Sequence, residues 1–146
     1  MQTGGRLARW TLDPGNGSEA IVETVIGPPG DLPVIPAARQ GRPYSYGWML
    51  TMNPDMQGPP VVGGPVGAMF NMLLRLDFAG KPPQALALPP GHCFNEPVHV
   101  PARAPGHEGW LLTVVDEQIG PADFRHTLWI LDAGNVGAGA LVRITI

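Results

Sequence analysis

The sequence predicts an all-β chain built from antiparallel meanders, and three observations carry that expectation. Short apolar runs recur along the chain, whereas hardly any window shows a helical period. The 20 Gly and 18 Pro fall between those runs instead of forming a tract, so they punctuate turns and do not mark disorder. The spacers DPGNGSE (13–19) and AGKPP (79–83) are short and turn-rich, of the kind that joins antiparallel neighbours.

RLARWTL and AIVETVI come first, and the spacer between them makes them a hairpin, read as the outer strands of a blade within residues 1–27. RPYSYGWMLTM, AMFNMLLRLDF and QALAL follow as most of a second blade, residues 42–90. Inside it lies NPDMQGPPVVGGPVG (53–67), which has no strand character and reads as a mobile surface loop. EPVHV, GWLLTVVD, HTLWILD and ALVRITI complete a four-strand meander of blade size, residues 95–146. Two blades and part of a third do not close a ring.

Composition narrows the functional classes. A chain of 146 residues can form one domain, burying roughly 70% of its unfolded surface. Only 14% of residues are charged, against about 25% in an ordinary soluble domain, a sparse coat for a free-standing surface. The net charge of −3 and pI near 5.7, with no basic cluster, give nucleic acid or an anionic membrane no electrostatic footprint. The apolar runs fall far short of the ~20 residues of a membrane helix, and the start MQTGGRLARW lacks the apolar core of a signal peptide. A single cysteine, Cys93, excludes an internal disulfide and fits a reducing compartment, so a cytoplasmic location is expected.

Glu96 stands out because it opens an apolar strand. A carboxylate in a sheet loses hydration, at several kcal/mol, unless partners replace the water. From the residue alone, a strand-end carboxylate facing water or capping a turn is the better explanation, ahead of a metal-site role.

Four stretches in order, GRPYSYGW (41–48), PPGHCFNEPVHVPAR (89–103), GWLLTVVDE (109–117) and LWILDA (128–133), resemble the C-terminal part of the carotenoid cleavage oxygenase family, which includes stilbene-cleaving dioxygenases. The resemblance runs from RWTLD to LVRITI. It implies a seven-bladed β-propeller with Fe(II) on its axis, held by four histidines, and an oxidoreductase that uses O₂ to split a carotenoid, apocarotenoid or stilbene-like double bond into carbonyl products. It also implies that Glu96 is the family's glutamate that accepts a hydrogen bond from the ring N–H of an iron-bound histidine. Such a carboxylate offsets charge, fixes the tautomer and makes the imidazole more basic. Asp31, in DLPVIPAARQGRPYSYG, takes the place of a second such glutamate. Its side chain is one methylene shorter, so a water or a backbone shift is needed to bridge the gap; the alternative is a turn aspartate bonding its own backbone.

Departures from the family pattern are His99, where phenylalanine is usual, and GHEGW (106–110), where the family is more acidic. His92, Glu96 and His99 are close in sequence, and imidazole with carboxylate suits iron or zinc. An extended run puts His99 on the opposite face from Glu96, and His107 sits among Pro and Gly, so packed or solvated histidines are expected, with His126 at a strand edge. No catalytic or metal-ligating residue is assigned within the chain. Cys93 reads as a small buried hydrophobe, and Trp10, Trp48, Trp110 and Trp129 as core or sheet-face residues.

The expectation is therefore the C-terminal portion of an Fe(II)-dependent dioxygenase, inactive and without bound iron as this chain alone, its open faces meeting missing blades or further copies of itself. The alternative is a non-catalytic all-β binding or structural module closed by oligomerisation.

Overall fold

The computed structural model describes residues 5–17, 19–63 and 67–146, so residues 1–4 and 18 of the predicted outer blade and residues 64–66 of the predicted loop lie outside the described residues. The chain is all-β and antiparallel, with eleven strands in three sheets among the described residues.

β1 (Arg6–Leu12) and β2 (Ile21–Pro29) form the expected hairpin, Leu12 facing Ile21 and Trp10 facing Glu23. Asp13 begins the turn by accepting the Gly15 N–H at 3.1 Å, and Gly17, at φ 70°, ends it in the left-handed region that glycine tolerates. The second sheet runs β3 (Asp31–Val34), β4 (Tyr46–Thr51), β5 (Met72–Asp77), β6 (Gln84–Ala87). The third contains β7 (His92–Phe94) and β8 (Val98–Val100), both paired along β9 (Trp110–Gln118), then β10 (Phe124–Asp132) and β11 (Ala140–Thr145).

β3 and β7 were not among the runs read as strands. β3 is short, contains Pro33, and holds Leu32 at φ 52°, so neither alternation nor propensity marks it; pairing with β4 creates it. β7 is three residues long and shares one edge position with β8. His126, expected at a strand edge, lies inside β10 opposite Asp116.

The core lies between the second and third sheets: Trp48, Leu50 and Leu73 meet Phe94, Leu111, Val115, Trp129 and Leu131. Met49, Leu74 and Leu76 point the other way and pack with Leu7 of the hairpin. β4 is therefore covered on both faces, which explains why it reads as a continuous apolar run where β9 alternates. Each such side chain contributes about 1.5–3 kcal/mol by leaving water. Trp48 also donates from Nε1 to the Ala133 carbonyl at 3.0 Å, a buried bond joining the two sheets.

A polar seam crosses the same interface. Arg75 on β5 grips Glu108 with two bonds, Nε to Oε2 at 3.0 Å and Nη2 to Oε1 at 2.6 Å, and its guanidinium lies 4.7 Å from the Tyr46 ring centre. The loop 53–67 is tied down at Val61, which is buried and accepts the Met69 N–H at 2.8 Å, and at Asn53, whose N–H bonds buried Asn71 at 2.8 Å. Apolar side chains remain exposed on the hairpin (Trp10, Leu12, Ile21) and on β11 (Leu141, Val142, Ile144). Among the described residues no helix is long and apolar enough to cross a membrane.

Candidate functional site: two acidic residues at edge-strand bulges

Glu96 sits where the edge strand of the third sheet is interrupted. Phe94 faces Val115 and Val98 faces Leu112, so three residues, Asn95 to Pro97, oppose only Thr113 and Val114. The edge strand therefore carries one extra residue, a β-bulge, a device that bends a strand and re-aims a side chain. The bulge is clamped on both sides of Glu96. Asn95 donates its N–H to the Val114 carbonyl at 2.8 Å and its side-chain amide to Asp116 Oδ2 at 3.0 Å, while its carbonyl accepts the Thr113 hydroxyl at 2.7 Å. Pro97 is fully buried.

Glu96 itself is exposed. The expectation of a carboxylate sunk in an apolar sheet is corrected here: the bulge turns the residue outward while Pro97 beside it is buried. It also voids the face argument relating Glu96 to His99, because alternation does not carry across an extra residue.

Asp31 opens β3 and is likewise exposed. Asp31 faces Leu50 and Val34 faces Trp48, so Leu32 and Pro33 oppose Met49 alone, and this edge strand also bulges. Asp31 Oδ1 accepts the Leu32 N–H at 2.7 Å, the self-directed contact of a turn aspartate. Asp31 borders a cleft of about 540 Å³ under the hairpin, lined by Arg6, Trp10, Glu23, Val25 and Met49 among others. One tryptophan links the two edge strands: Trp48 faces Val34 of β3 and stacks on His99 of β8, centroids 5.0 Å apart.

The four histidines disperse. His92 Nδ1 bonds the Pro90 carbonyl at 3.1 Å. His99 donates from Nε2 to the Glu108 carbonyl at 2.7 Å, since a carbonyl only accepts, which leaves its buried Nδ1 bare and without a partner among the described residues. His107 Nδ1 accepts the Gly109 N–H at 2.9 Å, and His126 Nδ1 bonds Asp116 Oδ1 at 2.7 Å. Among the described residues no group of three or more His, Cys, Asp or Glu side chains is placed to hold a metal ion. The set His92, Glu96 and His99 is not brought together. Among the described residues the donor set does not supply a complete iron site. Cys93 is buried, and desolvation, then the charge of Asp116, push its thiol up to about 11, so it stays protonated near neutrality.

Sequence reasoning missed Asn95 and Thr113, which brace the bulge. The signal for Thr113 was the recurrence of Gly-Trp-apolar-Leu-Thr at 47–51 and 109–113.

Residues 1–146 match the family model described as retinal pigment epithelial membrane protein. Lignostilbene-α,β-dioxygenase isozyme III of Sphingomonas paucimobilis is 31% identical over 141 residues, 94% of this chain but 28% of that enzyme. Among solved structures, Pseudomonas brassicacearum lignostilbene dioxygenase has a TM-score of 0.80 at 26% identity, covering 95% of this chain and 29% of that one. Cobalt-substituted Synechocystis apocarotenoid oxygenase has a TM-score of 0.78 at 24% identity, covering 98% and 28%, which speaks for the fold alone. The chain thus spans less than a third of the length of these relatives.

Proposed function

This chain belongs to the retinal pigment epithelial membrane protein family, and from that membership we propose that it is the C-terminal part of a dioxygenase that cleaves a conjugated or stilbene-type C=C bond with O₂ to two carbonyl products. On this reading the second and third sheets are two blades of a seven-bladed propeller, and the hairpin is the outer pair of a third. The substrate is an apolar stilbene, carotenoid or apocarotenoid. Fe(II), held by histidines outside this chain, supplies the redox chemistry with O₂ when bound.

What this chain contributes is orientation. Glu96 accepts the ring N–H of an imidazole, fixing its tautomer and raising its basicity, and Asp31 does the same from a shorter reach through a water. The observation that carries the reading is the family match over residues 1–146, and the Glu96 bulge, its backbone held by Asn95 and Pro97, is compatible with it. The exposed apolar rows on the hairpin and β11 support the same reading, because they are faces suited to further sheets.

The test is a chimera in which this chain replaces the matching segment of the Sphingomonas lignostilbene dioxygenase. The chimera is expected to retain iron and stilbene cleavage, and Glu96→Gln in it to weaken metal binding about 10–100-fold. The chain purified alone is expected to hold no stoichiometric iron and consume no O₂. Full iron affinity in the Glu96→Gln chimera, or stoichiometric iron on the isolated chain, overturns the assignment.

A further inference from the structure

Two buried hydroxyls make the same contact in two different sheets. β4 carries Gly-Trp-Met-Leu-Thr and β9 carries Gly-Trp-Leu-Leu-Thr, each ending in a buried threonine, Thr51 at 5% exposure and Thr113 at 2%. Thr51 Oγ1 donates to the Pro29 carbonyl at 2.6 Å, and Thr113 Oγ1 donates to the Asn95 carbonyl at 2.7 Å. The accepting carbonyl lies five residues before the partner of the tryptophan in both sheets: Pro29 before Val34, which faces Trp48, and Asn95 before Val100, which faces Trp110. In the third sheet the accepting carbonyl lies in the bulge, one residue ahead of Glu96; in the second it is the last residue of β2, two residues ahead of Asp31 and upstream of the bulge at Leu32 and Pro33.

A bulge breaks the ladder of main-chain bonds, and buried carbonyls need a donor. A β-branched residue with a hydroxyl suits that place: its methyl packs in the sheet and its O–H reaches across. Ordinary sheet packing asks only for a Val-shaped side chain here, so the hydroxyl is the feature left to explain. It recurs just ahead of Asp31 and of Glu96, which ties it to the main chain that carries the two carboxylates.

We propose that Thr51 and Thr113 are positioning residues, each hydroxyl locking the main chain from which an acidic side chain projects, Asp31 in one sheet and Glu96 in the other. The importance of those two carboxylates rests on the iron-site reading above; the locking itself does not, and it is measured without metal.

The test is site-resolved amide hydrogen exchange on this chain. Asn95, in the Glu96 bulge, donates its N–H to Val114 at 2.8 Å, and Gly30, between Pro29 and Asp31, donates to Gly5 at 2.9 Å, so each threonine contact has a bonded amide beside it as its reporter. Thr113→Val, which keeps volume and loses the hydroxyl, is expected to speed exchange at Asn95 about tenfold relative to Leu111 and Leu131, leaving Gly30 with the rest. Thr51→Val is expected to do the reverse. Thr113→Ser, which keeps the hydroxyl and loses the methyl, is expected to restore the Asn95 amide; this arm separates bonding from packing and stands if the valine variant folds poorly. A uniform rise across all amides, or none at Asn95 and Gly30, overturns the proposal. Full iron affinity in the Glu96→Gln chimera overturns the iron-site reading and leaves this result in place.

Discussion

Trp48 and His99 lie face to face across the interface between the second and third sheets, centroids 5.0 Å apart and planes 18° from parallel. Each ring is also anchored at its edge, Trp48 to the Ala133 carbonyl at 3.0 Å and His99 to the Glu108 carbonyl at 2.7 Å. The pair joins two sheets by packing and by hydrogen bonds at once.

His99→Phe keeps the stacked ring, loses the bond to Glu108 and removes a bare buried nitrogen. These changes oppose each other, so the stability change is expected within about 1 kcal/mol, whereas His99→Ala removes the stack and is expected to destabilise by about 2 kcal/mol. Urea denaturation of the two variants measures the difference. Equal losses would show that the ring contributes nothing beyond its hydrogen bond.

Glu108→Ala takes both short bonds from the Arg75 guanidinium, which is 8% exposed, and leaves it the Asp77 carboxylate at 3.9 Å as its ion-pair partner. Breaking such a pair from one side is expected to destabilise by about 2 kcal/mol, moderated by the Tyr46 ring beneath Arg75 and by water reaching the carboxylate. The double variant Arg75→Met with Glu108→Ala is expected to recover part of that loss. Thermal unfolding of all three proteins tests both statements.

Gly109 has φ 95°, and a Cβ there collides with the Val100 carbonyl. Gly109→Ala is expected to destabilise by about 3 kcal/mol, because strain and clash coincide. Gly17, at φ 70° with open space around it, is the control: its alanine variant is expected to lose only about 1 kcal/mol. Comparable midpoints in denaturant for the two variants would contradict the clash.

Cys93 sets a pH dependence. Burial first, and the Asp116 charge second, raise its thiol to about 11 in the folded chain, against roughly 8.5 when unfolded. Between those values the unfolded state has released its proton and the folded state still holds it. Stability is therefore complete below the lower value and falls by about 1.4 kcal/mol per pH unit above it until the folded thiol ionises. Cys93→Ala is expected to flatten that alkaline slope, as measured by denaturation from pH 8 to 11. A slope unchanged in the variant would place the alkaline loss elsewhere.

The strands around Trp48, Leu73, Leu111 and Trp129 were legible because their side chains alternate or are apolar throughout, and burial rewards both patterns. β3 and β7 were not, because they exist through their partners: nothing in DLPV or HCF prefers a strand without β4 or β9 beside it. The site was legible in part. A motif singled out Glu96, and the same run of letters hid the extra residue that turns its carboxylate outward, since a bulge is a property of two strands in register and not of one. Thr51 and Thr113 passed as ordinary strand residues because their hydroxyls find carbonyls far away along the chain.

The paired bulges also bear on how this molecule avoids becoming a template for fibrils. A straight, flat outer strand offers an unbroken row of amides and carbonyls to any passing peptide, and growth proceeds one rung after another. β3 and the β7–β8 strand offer a row with a missing step, two prolines among the bulge residues and an acidic side chain in or beside each gap. An incoming strand that finds register on one side of Glu96 loses it on the other, so the feature that presents a carboxylate also disfavours rung-by-rung pairing at that edge.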